Sequence, residues 1–231
     1  MKKKALLKDT LREIRKSFGR FFSIFAIVGI GVAFFAGVRD SVPVMKNTAD
    51  TYFDDYNFMD LKIMSTIGMT KEDVSAIRQV DGVAGVYGSY SMDVLNTHKN
   101  QQRVYKLLSY PMNAKAEDEN YINQMRLIKG RLPQKADECV IEYTNIKGAD
   151  SRIGETITFA SGTDEKLDAS LKRSTYKIVG EVTMPYYLSY EKGSSAIGSG
   201  SIDNYAVIPD TNFKSSYYTE VYVTVDGAKK P

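Results

Sequence analysis

The sequence predicts an α+β protein that crosses a membrane once, close to its N-terminus. Three observations predict this class: a basic and amphipathic start, an uncharged run at Phe21–Val38, and alternating apolar residues over much of the remainder. We expect a cytoplasmic basic amphipathic helix over residues 1–20 and a transmembrane helix over 21–38. An extracytoplasmic α+β subdomain should follow over 39–110, and an extracytoplasmic β-rich subdomain over 111–231.

Residues 1–20 have the pattern of a helix that lies on an anionic membrane surface. Leu7, Leu11, Ile14 and Phe18 recur at spacings of four, three and four residues, which forms one apolar stripe on a helix. Eight Lys or Arg against two acidic residues give the segment a net charge of +6. This charge is also compatible with a simple topogenic signal that has no ordered helix. Both interpretations stay open from the sequence alone.

The segment Phe21–Val38 has the length and composition of a membrane-spanning helix. Its eighteen uncharged residues would measure about 27 Å, close to the roughly 30 Å hydrocarbon core of a bilayer. A signal peptidase site needs small residues at positions −3 and −1, and here Phe34 or Phe35 would occupy −3. A buried helix of this length would be unusual in a soluble domain of this size. We therefore expect an uncleaved span in the cell membrane, with the basic N-terminus in the cytoplasm and residues 39–231 outside.

Small residues form a row along the predicted span. Gly29, Ala33 and Gly37 lie at i, i+4 and i+8, so they share one face of a helix. Such rows allow a second membrane helix to approach closely. Gly and Ala are also common in membrane helices without any packing role, so the predicted helix–helix contact rests on the alignment of three positions.

Charge and cysteine content exclude several functional classes for the outer region. Residues 21–231 carry 23 basic and 26 acidic side chains, so this part is mildly acidic. A nucleic-acid-binding protein would carry positive charge on its folded surface, and we set that class aside. Cys139 is the single cysteine of the chain, so neither an intrachain disulfide nor a thiolate metal site can form.

The first outer subdomain is predicted to contain a strand, a helix and two further strands. Asn57–Thr66 has strand character, and Thr70 with Asp73 forms a capping box at the start of a short helix. From Val83 an alternating pattern predicts one long strand to Leu95. After a polar loop around Asn96–Gln102, Arg103–Ser109 forms the last strand.

The second outer subdomain is predicted to be mainly β. A short helix is expected at Ala116–Ile128, and two turn-rich stretches at Ser161–Ser170 and Glu191–Ser201. The second stretch is rich in Gly and Ser but has no Lys at a phosphate-loop spacing, so a nucleotide cradle is not expected. The predicted strands are Cys139–Thr144, Glu155–Ala160, Thr175–Met184, Asn204–Ile208 and Glu220–Val225.

No catalytic, cofactor-binding or metal-binding residue is predicted. His98 lies in a polar loop without companion ligands or a nucleophile motif, and Cys139 lies in an apolar strand, where a buried inert thiol is expected. Acidic residues that lack an EF-hand loop are interpreted as turn and surface charges: Asp54, Asp55 and Asp60. Three tyrosines either form a partner-contact patch or cover a sheet edge: Tyr186, Tyr187 and Tyr190.

The order of these parts resembles the first portion of an FtsX-like/MacB-like ABC transporter permease. Each matching stretch is short, and their order and spacing carry the resemblance. They are Tyr56–Thr66, the short helix with Asp81–Gly82–Val83, Gly130–Arg131–Leu132–Pro133 with Glu138, Gly154–Glu155–Thr156, Ile178–Val179–Gly180 and the Gly193–Gly200 loop.

The resemblance implies a MacB-type periplasmic core domain with an α+β porter-like subdomain and a β-rich subdomain. It also implies a non-enzymatic subunit, without cofactors, that works with a separate ABC ATPase subunit and with a second permease subunit or a second copy of itself. In this class, closure of the ATPase dimer is thought to pass through the spans to the outer domain, as mechanical coupling or export. The amphipathic helix would lie at the inner surface, where the ATPase docks.

The family permease has three further spans after its outer domain. Because no second hydrophobic run follows Val38, the chain is expected to be an N-terminal fragment. Two other classes remain alternatives: a single-pass receptor with an extracellular ligand-binding domain, and a membrane-anchored hydrolase. Three spans encoded after residue 231 would favour the permease, whereas one span with a cytoplasmic kinase or coiled coil would favour the receptor.

Overall fold

The computed structural model describes residues 2–112, 114–144 and 151–228, with side chains from Lys8 onward. The chain divides into two compact units, Met1–Thr51 and Tyr52–Pro231. The first is helical and the second is built mainly from strands, so the predicted α+β class is confirmed.

Two helices account for the first unit. Helix α1 covers Lys2–Lys16, and helix α2 begins at Phe18 and ends at Asp55, with its last turn in the second unit. Hydrogen bonds cross the junction between them, because Ser17 N donates to Glu13 O at 3.1 Å and Phe21 N donates to Ser17 O at 3.0 Å. Within the described residues α2 is the one helix long and apolar enough to cross a membrane. Its most apolar window has a mean hydropathy of 2.4.

Helix α2 continues well beyond the predicted end of the span at Val38. Its 38 residues correspond to about 57 Å of helix, roughly twice the hydrocarbon core of a bilayer. Pro43 lies inside it and removes one backbone donor. No glycine lies between Pro43 and the end of the helix. The hydroxyls of Thr48 and Thr51 donate to backbone carbonyls one turn earlier, at 2.8 and 2.9 Å. The helix therefore passes the proline and ends seventeen residues later than the apolar run.

The described residues of the second unit form ten strands and two short helices. In chain order they are β1 (Leu61–Met69), α3 (Lys71–Arg78), β2 (Val83–Ser89), β3 (Ser91–His98), β4 (Gln101–Tyr110), β5 (Arg126–Gly130), β6 (Glu138–Glu142), β7 (Thr156–Ala160), α4 (Leu167–Ser170), β8 (Thr175–Thr183), β9 (Asn204–Pro209) and β10 (Tyr218–Val225), with one 3-10 turn at Asp210–Asn212.

A three-stranded antiparallel sheet in the order β1-β10-β2 forms one part of this unit. Helix α3 covers it, and Val74 packs with Val86, Val221 and Val223 in a common core. The predicted capping box is present, since the Thr70 hydroxyl accepts from Asp73 N while the Asp73 carboxylate accepts from Thr70 N. Such a cap contributes about 1 kcal/mol to helix stability.

Seven strands form the other part, in the order β5-β8-β6-β9-β4-β3-β7. An additional pairing of β7 with β8 closes all of these strands except the edge strand β5 into a six-stranded barrel. Alternate residues of all six point inward and fill it, as expected for a small barrel. This interior core includes Val94, Tyr105, Leu107, Cys139, Ile141, Ile157, Phe159, Tyr176, Ile178, Ala206 and Ile208.

Two predicted elements are wrong. No helix forms over Ala116–Ile128: the chain turns repeatedly, and β5 begins at Arg126. Asp118 accepts from Asn120 N at 2.9 Å, and Asn123 adopts a left-handed backbone (φ 58°), so side-chain turns replace the helix.

The predicted strand Val83–Leu95 is two strands that belong to different sheets. The chain leaves the three-stranded sheet at Tyr90, whose N–H donates to the Ser109 hydroxyl at 2.9 Å. The predicted loop Asn96–Gln102 is shorter than expected. It is a tight hairpin turn whose central residues, Lys99 and Asn100, both have positive φ.

The strands do not divide between the two sheets at residue 110. Strands β3 and β4 precede that position but lie in the barrel, whereas β10 follows it and lies in the three-stranded sheet.

Candidate functional site

The membrane-related residues all lie in the first unit. Gly29, Ala33 and Gly37 are exposed along α2, and a Cβ built on Gly29 or Gly37 would meet no atom within 4 Å. Their shared face is therefore open to a second helix. The same openness holds at Gly31, so accessibility does not distinguish the row from the rest of the span.

The predicted amphipathic stripe lies on helix α1, except for one residue that belongs to α2. Leu11 and Ile14 are in α1, and Phe18 is the first residue of α2, where its ring stacks on Phe22 at 5.9 Å. Leu11 is 58% and Phe18 is 60% exposed, whereas Ile14 is half-buried. The Leu7 side chain lies outside the described residues.

The end of α2 has the geometry of a Schellman motif. Phe58 N donates to Phe53 O at 2.9 Å and Asn57 N donates to Asp54 O at 3.2 Å, which satisfies two carbonyls that the helix would leave unpaired. Asn57 has a φ of 46°, the left-handed conformation that this motif requires. The rings of Phe53 and Phe58 lie 4.7 Å apart and provide its usual apolar contact. All these atoms belong to the second unit.

Asn57 and Asn123 hold this helix end against the loop before β5. The Asn57 amide donates to Glu119 O at 3.1 Å and to Tyr121 O at 3.0 Å. In return, Asn123 N donates to Asn57 O at 2.8 Å, and the Asn123 side-chain oxygen accepts from Met59 N at 3.1 Å. Both asparagines are buried, at 5% and 4% exposure. We call this reciprocal pair the helix anchor.

A buried polar network joins the three-stranded sheet to the barrel. The Glu220 carboxylate of β10 lies 2.9 Å from the Lys62 ammonium. It also accepts hydrogen bonds from the Tyr222 hydroxyl at 2.5 Å and from the Ser91 hydroxyl of β3 at 3.0 Å. Lys62 also donates to the Tyr186 hydroxyl at 2.7 Å. Burial lowers the pKa of Lys62, but its bonds to Tyr186 and Glu220 outweigh burial, and the pKa is raised overall. The ammonium therefore stays charged and ties β1 to the segment that follows β8, while the bond from Ser91 to Glu220 connects the two sheets.

The motif Gly130–Arg131–Leu132–Pro133 with Glu138 is a structural ion pair. Arg131 binds the buried Glu138 carboxylate through both terminal nitrogens, one of them at 2.7 Å. This bidentate contact, together with backbone donors from Gln134 and Lys135, holds the pKa of Glu138 at about 2 despite burial. A Cβ on Gly130 would lie 2.3 Å from Val179 O, so the motif packs directly on Ile178–Val179–Gly180.

The other candidate residues fall into several environments. Cys139 is fully buried in the barrel, and burial raises the pKa of its thiol to about 12, as predicted for an inert cysteine. His98 is not in a loop but at the end of β3, with Nδ1 3.5 Å from Arg152 Nη2. Asp60 accepts from Val225 N at 2.8 Å, a structural role. Among the described residues, no three His, Cys, Asp or Glu side chains are grouped as metal ligands would be.

The three tyrosines do not form one surface. Tyr186 belongs to the buried network, and Tyr187 stacks on Tyr205 at 4.8 Å. Tyr190 alone is free of the core, at 94% exposure. The neighbouring Gly/Ser stretch is packed rather than loose, because its apolar residues Ile197 and Ile202 lie on Val104.

A known family accounts for almost the whole chain. The family model described as the MacB-like periplasmic core domain matches residues 21–231. The chain belongs to this family. The resemblance predicted from the sequence is confirmed, and with it the MacB-like periplasmic domain of an ABC transporter permease and its membrane localisation.

Solved structures similar to the chain include two transporter domains. One is the extracellular domain of the noncanonic ABC-type transporter YknZ from Gram-positive bacteria, at 14% identity and a TM-score of 0.43, covering 71% of this chain and 76% of that one. The other is the periplasmic region of MacB from Actinobacillus actinomycetemcomitans, at 12% identity and a TM-score of 0.40, covering 71% and 67%. No curated protein matches the sequence.

Sequence reasoning missed the helix anchor. The signal was present, since an asparagine followed by an aromatic residue after a helical segment is typical of a Schellman motif. It was overlooked because the apolar run ends at Val38, seventeen residues before the helix does. The partner Asn123 had no local signal at all.

Proposed function

We propose that this chain is the N-terminal part of the permease subunit of an ABC transporter and couples a separate ATPase to an extracytoplasmic domain. The observation that carries the proposal is the helix anchor. One helix, α2, contains the apolar span, and its final turn is fixed to the outer domain by Asn57 and Asn123. A displacement of that turn must move the loop before β5 or break buried hydrogen bonds.

The remaining parts of the subunit have defined roles in this proposal. The N-terminus lies in the cytoplasm, and the stripe Leu7, Leu11, Ile14 and Phe18 lies at the inner surface, in contact with lipid and the ATPase. The row Gly29, Ala33 and Gly37 packs on a helix of a second permease subunit or a second copy. The subunit performs no chemistry itself, so ATP hydrolysis is supplied by the partner.

Coupling is tested in the complete permease, assembled with its ATPase in nanodiscs. A spin label is placed at the exposed residue 166 of each copy by Lys166→Cys, in a Cys139→Ser background. Trapping the ATPase with nucleotide and vanadate should shift the label-to-label distance. Asn57→Ala should reduce this shift while ATP hydrolysis continues. If the label-to-label distance does not change in the permease that retains Asn57, coupling is refuted.

Docking at the inner surface is tested by co-purification of the ATPase. Leu11→Asp places a charge on the apolar stripe and should reduce the amount of ATPase recovered. Thr10→Asp introduces the same charge at the adjacent exposed position and serves as the matched control. Equal loss from both substitutions would show that the stripe has no special role.

A further inference from the structure

A polar cleft lies at one end of the barrel. It is formed where β3 ends and β4 begins, together with the last residue of β6 and the first residue of β9. Its volume is about 270 Å³, slightly below the range of roughly 300–1,000 Å³ that is usual for small-molecule sites. None of its residues was predicted to be functional.

Positive charge dominates this cleft. Lys99, Arg103 and Arg152 line it, together with His98, and Glu142 is the one carboxylate among the described lining residues. Glu142 is already compensated, because Lys192 lies 3.1 Å from its Oε1 and Asn204 donates to its Oε2 at 3.3 Å. The uncompensated charge that the described residues bring to the cleft is therefore positive.

The two guanidinium groups retain donors for a ligand. Arg152 uses Nε for Glu155 at 2.9 Å. Among the described residues its terminal nitrogens make only long contacts, 3.4 Å to the Tyr105 hydroxyl and 3.5 Å to His98. Contacts of this length lie at the limit of hydrogen bonding. Arg103 donates to Gln101 at 3.2 Å. Burial raises the pKa of the Tyr105 hydroxyl, and the positive charges of Arg103 and Arg152 both act to lower it. Both guanidinium groups are therefore close to this buried hydroxyl.

A wider groove adjoins the cleft. Its volume is about 960 Å³, and five residues line both the groove and the cleft: Gln101, Arg103, Glu142, Thr144 and Asn204. The exposed side chains of Leu188 and Tyr190 form part of its wall. The groove provides room for the body of a ligand whose charged end occupies the cleft.

We propose that the cleft binds an oxyanion, the phosphate or carboxylate group of a small ligand whose remainder lies along the groove. Arg103 and Arg152 bind the anion through charge-assisted hydrogen bonds, and Lys99 adds to the positive field. Glu142, held by Lys192, fixes the position of Asn204 at the boundary between cleft and groove.

Isothermal titration calorimetry on the full chain in a neutral detergent tests the site. The probes are sodium pyrophosphate, sodium citrate and, as an uncharged control, glycerol, at low ionic strength because salt screens exposed charges. Saturable binding of pyrophosphate alone assigns a phosphate site, binding of citrate alone a carboxylate site, and binding of both a general oxyanion site. Binding of neither anion in the millimolar range overturns the proposal.

Matched variants separate the cleft from general surface charge. Arg103→Gln and Arg152→Gln should each weaken binding about tenfold, the loss expected for one hydrogen bond between charged groups. Arg173→Gln removes an exposed arginine outside the cleft and should leave the affinity unchanged. Since Arg152 also holds Glu155, Arg103→Gln is the variant less able to disturb folding, and circular dichroism verifies both. Unchanged binding in the two cleft variants, or an equal loss in Arg173→Gln, overturns the proposal.

Discussion

Replacement of Asn57 tests the helix anchor through its effect on stability. In Asn57→Ala the two amide bonds to Glu119 O and Tyr121 O are lost, and one partly buried and one buried carbonyl are left without this donor. Each such bond contributes about 1 kcal/mol, so their loss accounts for roughly 2 kcal/mol. The left-handed backbone at φ 46° also costs an alanine about 1–2 kcal/mol. We expect Asn57→Ala to lower the free energy of unfolding by roughly 3–4 kcal/mol.

Two further variants separate these contributions. Asn57→Gly tolerates the left-handed backbone but still lacks both amide bonds, so it should lose only about 2 kcal/mol. Asn100 has a similar φ of 62° in an exposed hairpin turn, and the described residues give its side chain no hydrogen bond. Asn100→Ala should therefore lose the backbone cost alone, at the lower end of the same range, about 1 kcal/mol, because an exposed turn can relax.

Denaturant unfolding of the full chain in detergent provides the measurement. The chain has no tryptophan and 16 tyrosines, so tyrosine fluorescence and near-ultraviolet circular dichroism are the suitable probes. The expected order of destabilisation is Asn57→Ala, then Asn57→Gly, then Asn100→Ala. Equal losses of unfolding free energy in Asn57→Ala and Asn100→Ala would show that the Asn57 amide contributes nothing to stability. The helix anchor would then be refuted.

Three other predictions concern the membrane segment and one ion pair. In a Cys139→Ser background, a cysteine at Lys166 should react with an impermeant maleimide on intact cells and one at Lys16 only after lysis; the reverse pattern would invert the topology. Gly29→Leu or Ala33→Leu should reduce co-purification of permease subunits whereas Ile30→Leu should not, and equal effects would remove any special role of the row. Glu138 has a pKa lowered from 4.5 to about 2, so its contribution to stability is complete above the unfolded value and is lost as pH falls through that interval. Glu138→Gln should flatten the stability profile between these pH values, whereas the exposed Glu165→Gln should leave the acid-side slope intact.

Local signals in the sequence predicted local structure well. The capping box at Thr70 and the apolar span depend on residues close in the chain, and both agree with the structure. The barrel could not be predicted in this way, because its closure depends on pairing β7 with β8 and β3, and alternation does not identify partners. The same limit explains Val83–Leu95, where an unbroken alternation crosses from one sheet to another at Tyr90.

The polar cleft illustrates a second limit. Arg103 and Arg152 lie 49 positions apart in a mildly acidic region, so composition gives no indication of a local positive surface. Their proximity follows from the strand order that brings β3, β4, β6 and β9 to one end of the barrel. The mildly acidic average charge of this region speaks against nucleic-acid binding, but it does not bear on the binding of small anions.

The central position of β10 in its sheet has a consequence for how the outer domain forms. Strands β1 and β2 make no ladder with each other, and each pairs with β10, which lies more than 120 residues further along the chain than β2. The sheet therefore has a very high contact order, and the cost of closing so long a loop precedes any gain from pairing. In chain order β1 and β2 come first and the barrel strands β3 to β9 follow, so both outer strands of the sheet remain without their partner until residues 218–225 are made. Until then the backbone N–H and C=O groups that β1 and β2 turn toward β10 have no partner strand, and such unpaired strand edges are the part of a sheet most open to wrong pairing.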